Sequence, residues 1–176
     1  MFIEIEDLKT ESIHIQHDFP EEEIKFSHPD AVLIRPVTTN FTLFLKEGNL
    51  RAAGTMSTAI QFNCSRCAKL AVRELDTGFD LAYHSQPEWT EDNAEIELKY
   101  EDMDVGFYDG IAFDVNLMIL EQIELSLPMK FVCNEDCKGL CFECGTDLNE
   151  GTCSCSREKV DPRMGTLLEF RKKMDT

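Results

Sequence analysis

Eight cysteines gathered into four short sets constrain this sequence more than any other feature. The sets are Cys64-Ser-Arg-Cys67, Cys133-Asn-Glu-Asp-Cys137, Cys141-Phe-Glu-Cys144 and Cys153-Ser-Cys155. Two cysteines separated by two residues can turn both sulfurs toward one ion, with backbone N–H groups directed at the thiolates. Gly145 supplies without penalty the positive φ that the residue after such a pair often needs. Six of the thiols fall between Cys133 and Cys155, a Gly-containing stretch too small for a core of its own, where metal would stand in for one. The expectation is two tetrahedral zinc ions held by Cys64, Cys67, Cys133, Cys137, Cys141, Cys144, Cys153 and Cys155. The favoured division joins Cys64 and Cys67 to Cys133 and Cys137, tying the carboxy-terminal module to a sheet, and leaves Cys141, Cys144, Cys153 and Cys155 as a local site. A rival division groups Cys133, Cys137, Cys141 and Cys144.

Compartment decides whether such thiols are ligands or disulfide halves. The first residues, Met1-Phe2-Ile3-Glu4-Ile5-Glu6-Asp7, are acidic and lack a basic region followed by an apolar run, so they do not read as a secretory signal. No apolar stretch approaches the roughly 18 residues that span a bilayer. The chain reads as cytoplasmic, where thiols stay reduced and grouped cysteines bind metal. Its charge, 34 acidic against 17 basic residues for a net of −17, would fall to roughly −21 with two tetrathiolate zinc sites. Such a molecule repels phosphate backbones. DNA and membrane are excluded as partners, direct RNA contact is disfavoured, and a basic protein is the better electrostatic match.

The chain of 176 residues suits one domain with a core and a small appendage. Residues 1–110 read as a β-rich domain. Ile13-His14-Ile15, Val32 to Arg35, Phe41 to Leu45, Leu50 to Phe62 and Leu70 to Tyr83 are strand candidates, with a turn at Glu47-Gly48-Asn49 and a bulge at Gly54. Pro20 to Phe26 suits a short helix. Short strands and tight turns suggest an antiparallel sheet. Within that domain, residues 86–110 form an acidic run, by default a solvated loop around a polar strand. Its functional alternative is a docking surface anchored by Trp89 and Tyr100. Residues 111–130 carry a core helix capped by Asp114, with Val115, Met118, Ile119 and Ile123 at helical spacing, Leu117 and Leu120 broadening the apolar face, and Pro128 ending it. Residues 131–160 are the zinc module, and 161–176 a second helix with Pro162 in its first turn and Leu167, Leu168 and Phe170 on one face. The fold class is α+β.

No catalytic set emerges. The sequence has no phosphate-binding glycine loop, nucleophile elbow or His-Glu hydrolase motif, and four thiolates leave a metal no open position. A non-enzyme is expected. His14 and His17 do not share a strand face and read as exposed. Two alternatives stand beside this one. One is a zinc-stabilised protein-interaction module, for instance in transcription. A thiol redox protein could use Cys64 and Cys67, but that chemistry wants the Cys-x-x-Cys at a helix start, and the residues after Cys67 look extended.

Taken together, Asn63-Cys64-Ser65-Arg66-Cys67, Glu121-Gln122-Ile123, Leu125-Ser126-Leu127-Pro128-Met129, Cys133 to Cys141 with Lys138-Gly139-Leu140, Cys144-Gly145, Leu148-Asn149, Cys153-Ser-Cys155 and Asp161-Pro162-Arg163 resemble the YceD family, over about residues 30–170. Phe142 departs from it, standing where the family commonly has proline. The resemblance implies a role in 23S ribosomal RNA accumulation and large-subunit biogenesis, with a large-subunit ribosomal protein or pre-ribosomal particle as partner.

Overall fold

A computed structural model describes residues 1–9, 11–46, 48–85 and 105–155, with Arg163 and Phe170. Contacts divide the chain into two compact units, Met1–Ser65 with Lys69–Cys133, and Arg66–Ala68 with Asn134–Thr176. In chain order the first unit holds β1 (Phe2–Glu4), α1 (Ile5–Leu8), β2 (Ile13–Phe19), α2 (Glu21–Ile24), β3 (Ala31–Leu33), β4 (Val37–Lys46) and β5 (Asn49–Asn63). These are followed by β6 (Leu70–Ser85), β7 (Val105–Tyr108), β8 (Ala112–Asp114) and α3 (Val115–Ser126).

The larger sheet runs β2-β4-β5-β6-β7, and β3 pairs with β5 beside β4. Alternation builds its buried face. Val37, Thr39, Phe41 and Leu43 of β4 are buried, as are Leu50, Ala52, Met56 and Ile60 of β5 and Leu75, Phe79 and Tyr83 of β6. The β4–β5 turn is tight, with Lys46 opposite Asn49 and Gly48 at φ 84°. Between β3 and β4 lies Pro36, which has no N–H to give a ladder. Here the Thr58 hydroxyl donates to the Arg35 carbonyl at 3.0 Å, so a buried threonine satisfies the backbone where pairing lapses.

Two expectations need correction, and the mostly antiparallel sheet needs one qualification. Gly54 is not a bulge: it pairs in unbroken register with Phe41 on one side and Phe79 on the other. It is glycine because a Cβ there would collide with Phe41 Cβ and the Asn40 carbonyl, a close backbone approach instead of an extra residue. The sheet is not wholly antiparallel, since β7 runs parallel to β6 from Ala82↔Val105 to Ser85↔Tyr108. And Leu117, assigned to the core face of α3, is 52% exposed.

The rest of α3 agrees with its sequence pattern. Asp114 Oδ1 accepts from the N–H of Asn116 at 3.0 Å and of Leu117 at 3.4 Å, satisfying two of the orphan donors of the first turn. Val115, Met118, Ile119, Gln122 and Ile123 form the buried stripe. At its other end the Ser126 hydroxyl donates to the Gln122 carbonyl at 2.6 Å and meets Thr77 Oγ1 of β6 at 2.7 Å. The first residues, to which the sequence pattern assigns no role, form a second, two-stranded sheet. Phe2 pairs there with Asp114, and Ile5 and Leu8 are buried behind it. Of the acidic run, 86–104 with Trp89 and Tyr100 lies outside the described residues, as does most of the helix expected over 161–176.

We expect Gly54→Val to lower unfolding free energy by about 1–3 kcal/mol, the usual cost of forcing atoms into a filled space. Urea denaturation monitored by circular dichroism measures this, and unchanged stability would remove the close-approach account.

Candidate metal centre

The six residues between β5 and β6 form a hairpin loop, Cys64 to Lys69. Its base is closed by the Cys64 N–H donating to the Lys69 carbonyl at 2.8 Å, and Ala68 takes a left-handed φ of 59°. Both Cys64 and Cys67 are buried. Cys67 leads into a strand, so this Cys-x-x-Cys does not sit at a helix start as thiol–disulfide exchange enzymes usually require. Ser65 receives support from the segment before Cys133, because its N–H and its hydroxyl donate to the Phe131 carbonyl at 2.7 Å and 2.9 Å. The Phe131 ring packs on Phe62, centroids 5.2 Å apart. Arg66 spends its guanidinium on backbone, one nitrogen donating to the carbonyls of Glu135 at 2.9 Å and Cys137 at 2.8 Å.

A second turn is built around Cys141 and Cys144. Leu140 bridges to Asp147, the Cys141 N–H donates to the Thr146 carbonyl at 2.9 Å, and the Gly145 N–H returns to the Cys141 carbonyl at 2.8 Å. Gly145 at φ 73° takes the left-handed conformation expected of it. Gly139, at φ 74°, is needed on a further ground. A Cβ there would stand 2.9 Å from the Arg66 carbonyl oxygen, which accepts from the Leu140 N–H at 3.0 Å.

The sulfurs converge in two groups, Cys64, Cys67, Cys133 and Cys137 in one and Cys141, Cys144, Cys153 and Cys155 in the other. Within each group the four sulfurs lie within 4.8 Å of one another. This is the division favoured from the sequence over the rival one, and none of the eight cysteines forms a disulfide. Four thiolates about 2.3 Å from one tetrahedral ion would stand about 3.8 Å apart, so the donor sets fit zinc in type, number and spread.

The environment of the second group prepares thiolates. Backbone N–H groups of Cys144 and Glu143 hold the Cys141 thiol below its ordinary value. The Thr146 hydroxyl, 3.1 Å from Cys144 Sγ, and then the Thr146 N–H bring Cys144 down to about 6. Cys155 is pushed up to about 12, chiefly because its thiol donates to Cys144. Without a cation, four neighbouring sulfurs cannot all ionise, and a dication removes that conflict by displacing the remaining protons. In the other group, Asn149 Nδ2 donates to Cys137 Sγ at 3.5 Å, while Asn149 Oδ1 accepts from the Lys138 N–H at 2.8 Å. Such outer partners orient ligands and temper their charge. Arg66 and Asn149 stand in the strings that carry the family resemblance, with no role assigned to them there, and the sequence pattern does not single out Thr146.

The model of a family described as large ribosomal RNA subunit accumulation protein YceD matches residues 52–171. A chloroplastic large ribosomal RNA subunit accumulation protein YCED homolog 1 of Arabidopsis thaliana is 26% identical over 167 residues, 84% of this chain and 51% of the relative. Its counterpart of the same name in Zea mays is 27% identical over 149 residues, 71% of this chain and 50% of the relative. An uncharacterized protein of Mycobacterium tuberculosis is 31% identical over 133 residues, 72% of this chain and 57% of the relative. The chain thus spans about half the length of the curated relatives it matches. No solved structure matches it.

Two outcomes test this site. Cys141→Ser should lower bound metal by about one ion per chain and expose the segment around residues 139–155 to protease, read by elemental mass spectrometry and limited digestion. In metal-stripped protein, Thr146→Val should raise the Cys144 thiol above about 6, because a donor to the thiolate is lost. The pH dependence of alkylation at Cys144 reads this directly.

Proposed function

We propose that this chain, which belongs to the YceD family of large ribosomal RNA subunit accumulation proteins, is a non-enzymatic factor supporting 23S ribosomal RNA accumulation and large-subunit biogenesis. In this reading its eight cysteines hold two zinc ions as architecture. The observation that carries the non-enzymatic part is the convergence of four sulfurs in each of two groups. Four thiolates close a tetrahedral ion's coordination, leaving no position for water or substrate. The zinc would supply folding free energy to a segment with little apolar surface to bury, and the chain's own N–H groups, Thr146 and Asn149 would steady the thiolates around it.

The net charge of −17 supports a basic protein as the contact, either a large-subunit ribosomal protein or a pre-ribosomal particle bearing one. An acidic factor can shield such a protein before it meets RNA, and it does so without gripping phosphate. Trp89 and Tyr100, within the acidic run, are the aromatic anchors assigned to that contact. A cytoplasmic location accords with reduced thiols. Among the described residues no helix is long and apolar enough to cross a membrane.

Depleting the protein from growing cells should lower large-subunit relative to small-subunit ribosomal RNA and shrink the large-subunit peak in sucrose gradients. Unchanged ratios would overturn the role. Elemental analysis of purified protein should find about two zinc ions per chain. A metal-free chain with a reversibly oxidised Cys64–Cys67 pair would instead establish the thiol redox reading.

A further inference from the structure

Within the first unit, remote in sequence from most of the cysteines, a cleft of about 290 Å³ opens among β1, β6, β7, β8 and α3. Phe113 and Met118, both buried, lie on its inner side, while Phe2, Phe107 and Leu117 on its rim are 71%, 58% and 52% exposed. Three exposed apolar side chains around one opening mark a surface that gains by being covered. Among the described residues, the charged side chains lining it are Asp109, Asp114 and Glu121, and none is basic.

The three carboxylates differ in what they already do. Asp109 Oδ1 accepts from the Ile111 and Ala112 N–H groups at 2.9 Å and 3.0 Å, and Asp114 caps α3. Glu121 has neither a hydrogen bond nor a cationic partner among the described residues, and burial together with nearby Glu124 raises its carboxyl pKa. Facing the same cleft is Tyr83, only 7% exposed. Its ring stacks edgewise on Phe113 with centroids 4.8 Å apart. Its hydroxyl makes no hydrogen bond to a described residue. Gly106 gives the ring its room, since a Cβ there would lie 2.5 Å from Tyr83 Cδ1 and Cε1. The hydroxyl is not among the buried, unpartnered polar atoms of the described residues, so it opens to solvent and can accept from a group that enters the cleft.

We propose that this cleft receives a lysine or arginine side chain from a basic, apolar-flanked segment of a partner protein. The cation pairs with Glu121 and donates to the Tyr83 oxygen, while flanking apolar side chains cover Phe2, Phe107 and Leu117. Charge complementarity selects this occupant. A nucleic-acid backbone would set phosphates against three carboxylates, and a wholly apolar segment would bury Glu121 without a counter-charge. A second copy docked symmetrically on the same face would bring the carboxylates together. The inference rests on the proposed function only in taking the partner to be a basic protein of the large subunit.

The test places a photocrosslinking benzoylphenylalanine at position 117 of the full chain, and separately at position 72, where Val72 is exposed on β6. Each is incubated with the salt-extracted protein fraction of purified large subunits, and crosslinked peptides are sequenced. Position 117 should capture a ribosomal-protein segment carrying lysine or arginine between apolar residues. Glu121→Gln should cut that capture about tenfold, the scale of one lost charge pair at an interface. Thermal melting of this variant checks its fold, and Phe107→Ser, on the exposed rim, gives a second reading of the same loss. Capture at 72 but not at 117, undiminished capture by Glu121→Gln, or crosslinks from 117 to residues 161–176, a second copy or RNA would each overturn the site while leaving a basic partner in place. No ribosomal protein captured at either position would overturn both the site and the basic-partner reading.

Discussion

Backbone pairing along β5 is the constraint from which the larger sheet follows. Fifteen residues long, the strand is paired with β3 and β4 on one edge and with β6 on the other. Its even-numbered positions from Leu50 to Phe62 include the side chains that bury most deeply, so a slip of one residue would turn them to solvent. The ladder to β6 holds register up to Asn63↔Leu70, and that fixes where the chain must turn. Cys64 and Cys67 occupy the turn. Their placement is a consequence of strand pairing, accomplished before any ligand chemistry is considered.

Around the cysteines the dominant interaction changes from apolar burial to hydrogen bonding. Backbone N–H groups reach Cys141, a hydroxyl reaches Cys144 and an amide reaches Cys137. Each stabilises negative charge on sulfur; the first two are local in sequence, while the amide is that of Asn149, twelve residues after Cys137. A segment with so few buried side chains specifies its conformation through turns and donors, with two glycines at positive φ where a side chain would strain the backbone.

Much of this was legible in the amino acids. Alternation in β4 and β6, the Asp114 cap and the stripe Val115, Met118, Ile119, Ile123 are local patterns, and local patterns survive folding when the tertiary environment agrees with them. The cysteine spacings likewise named the residues that converge. What stayed hidden depends on distant partners. Nothing near Phe2 announces that it pairs with Asp114, and nothing in Val105 to Tyr108 says that this strand lies parallel to β6. Gly54 advertised an anomaly whose cause, the nearness of Phe41, is written thirteen positions away. Leu117 has core chemistry and helical spacing, yet points outward. Its exposure becomes intelligible only beside Phe2 and Phe107.

The small hairpin around Cys141 has a kinetic consequence. Its backbone bonds from Gly139 to Leu148 hold Cys141 and Cys144 within one turn, whereas Cys153 and Cys155 lie in a stretch with no regular backbone pairing. A metal ion bound here would be held by one pair fixed by its own turn and by one pair fixed chiefly by the ion. Its entry and exit would run through the later pair. The chelate effect would set equilibrium retention, and the motion of a few residues after Gly151 would set the exchange rate.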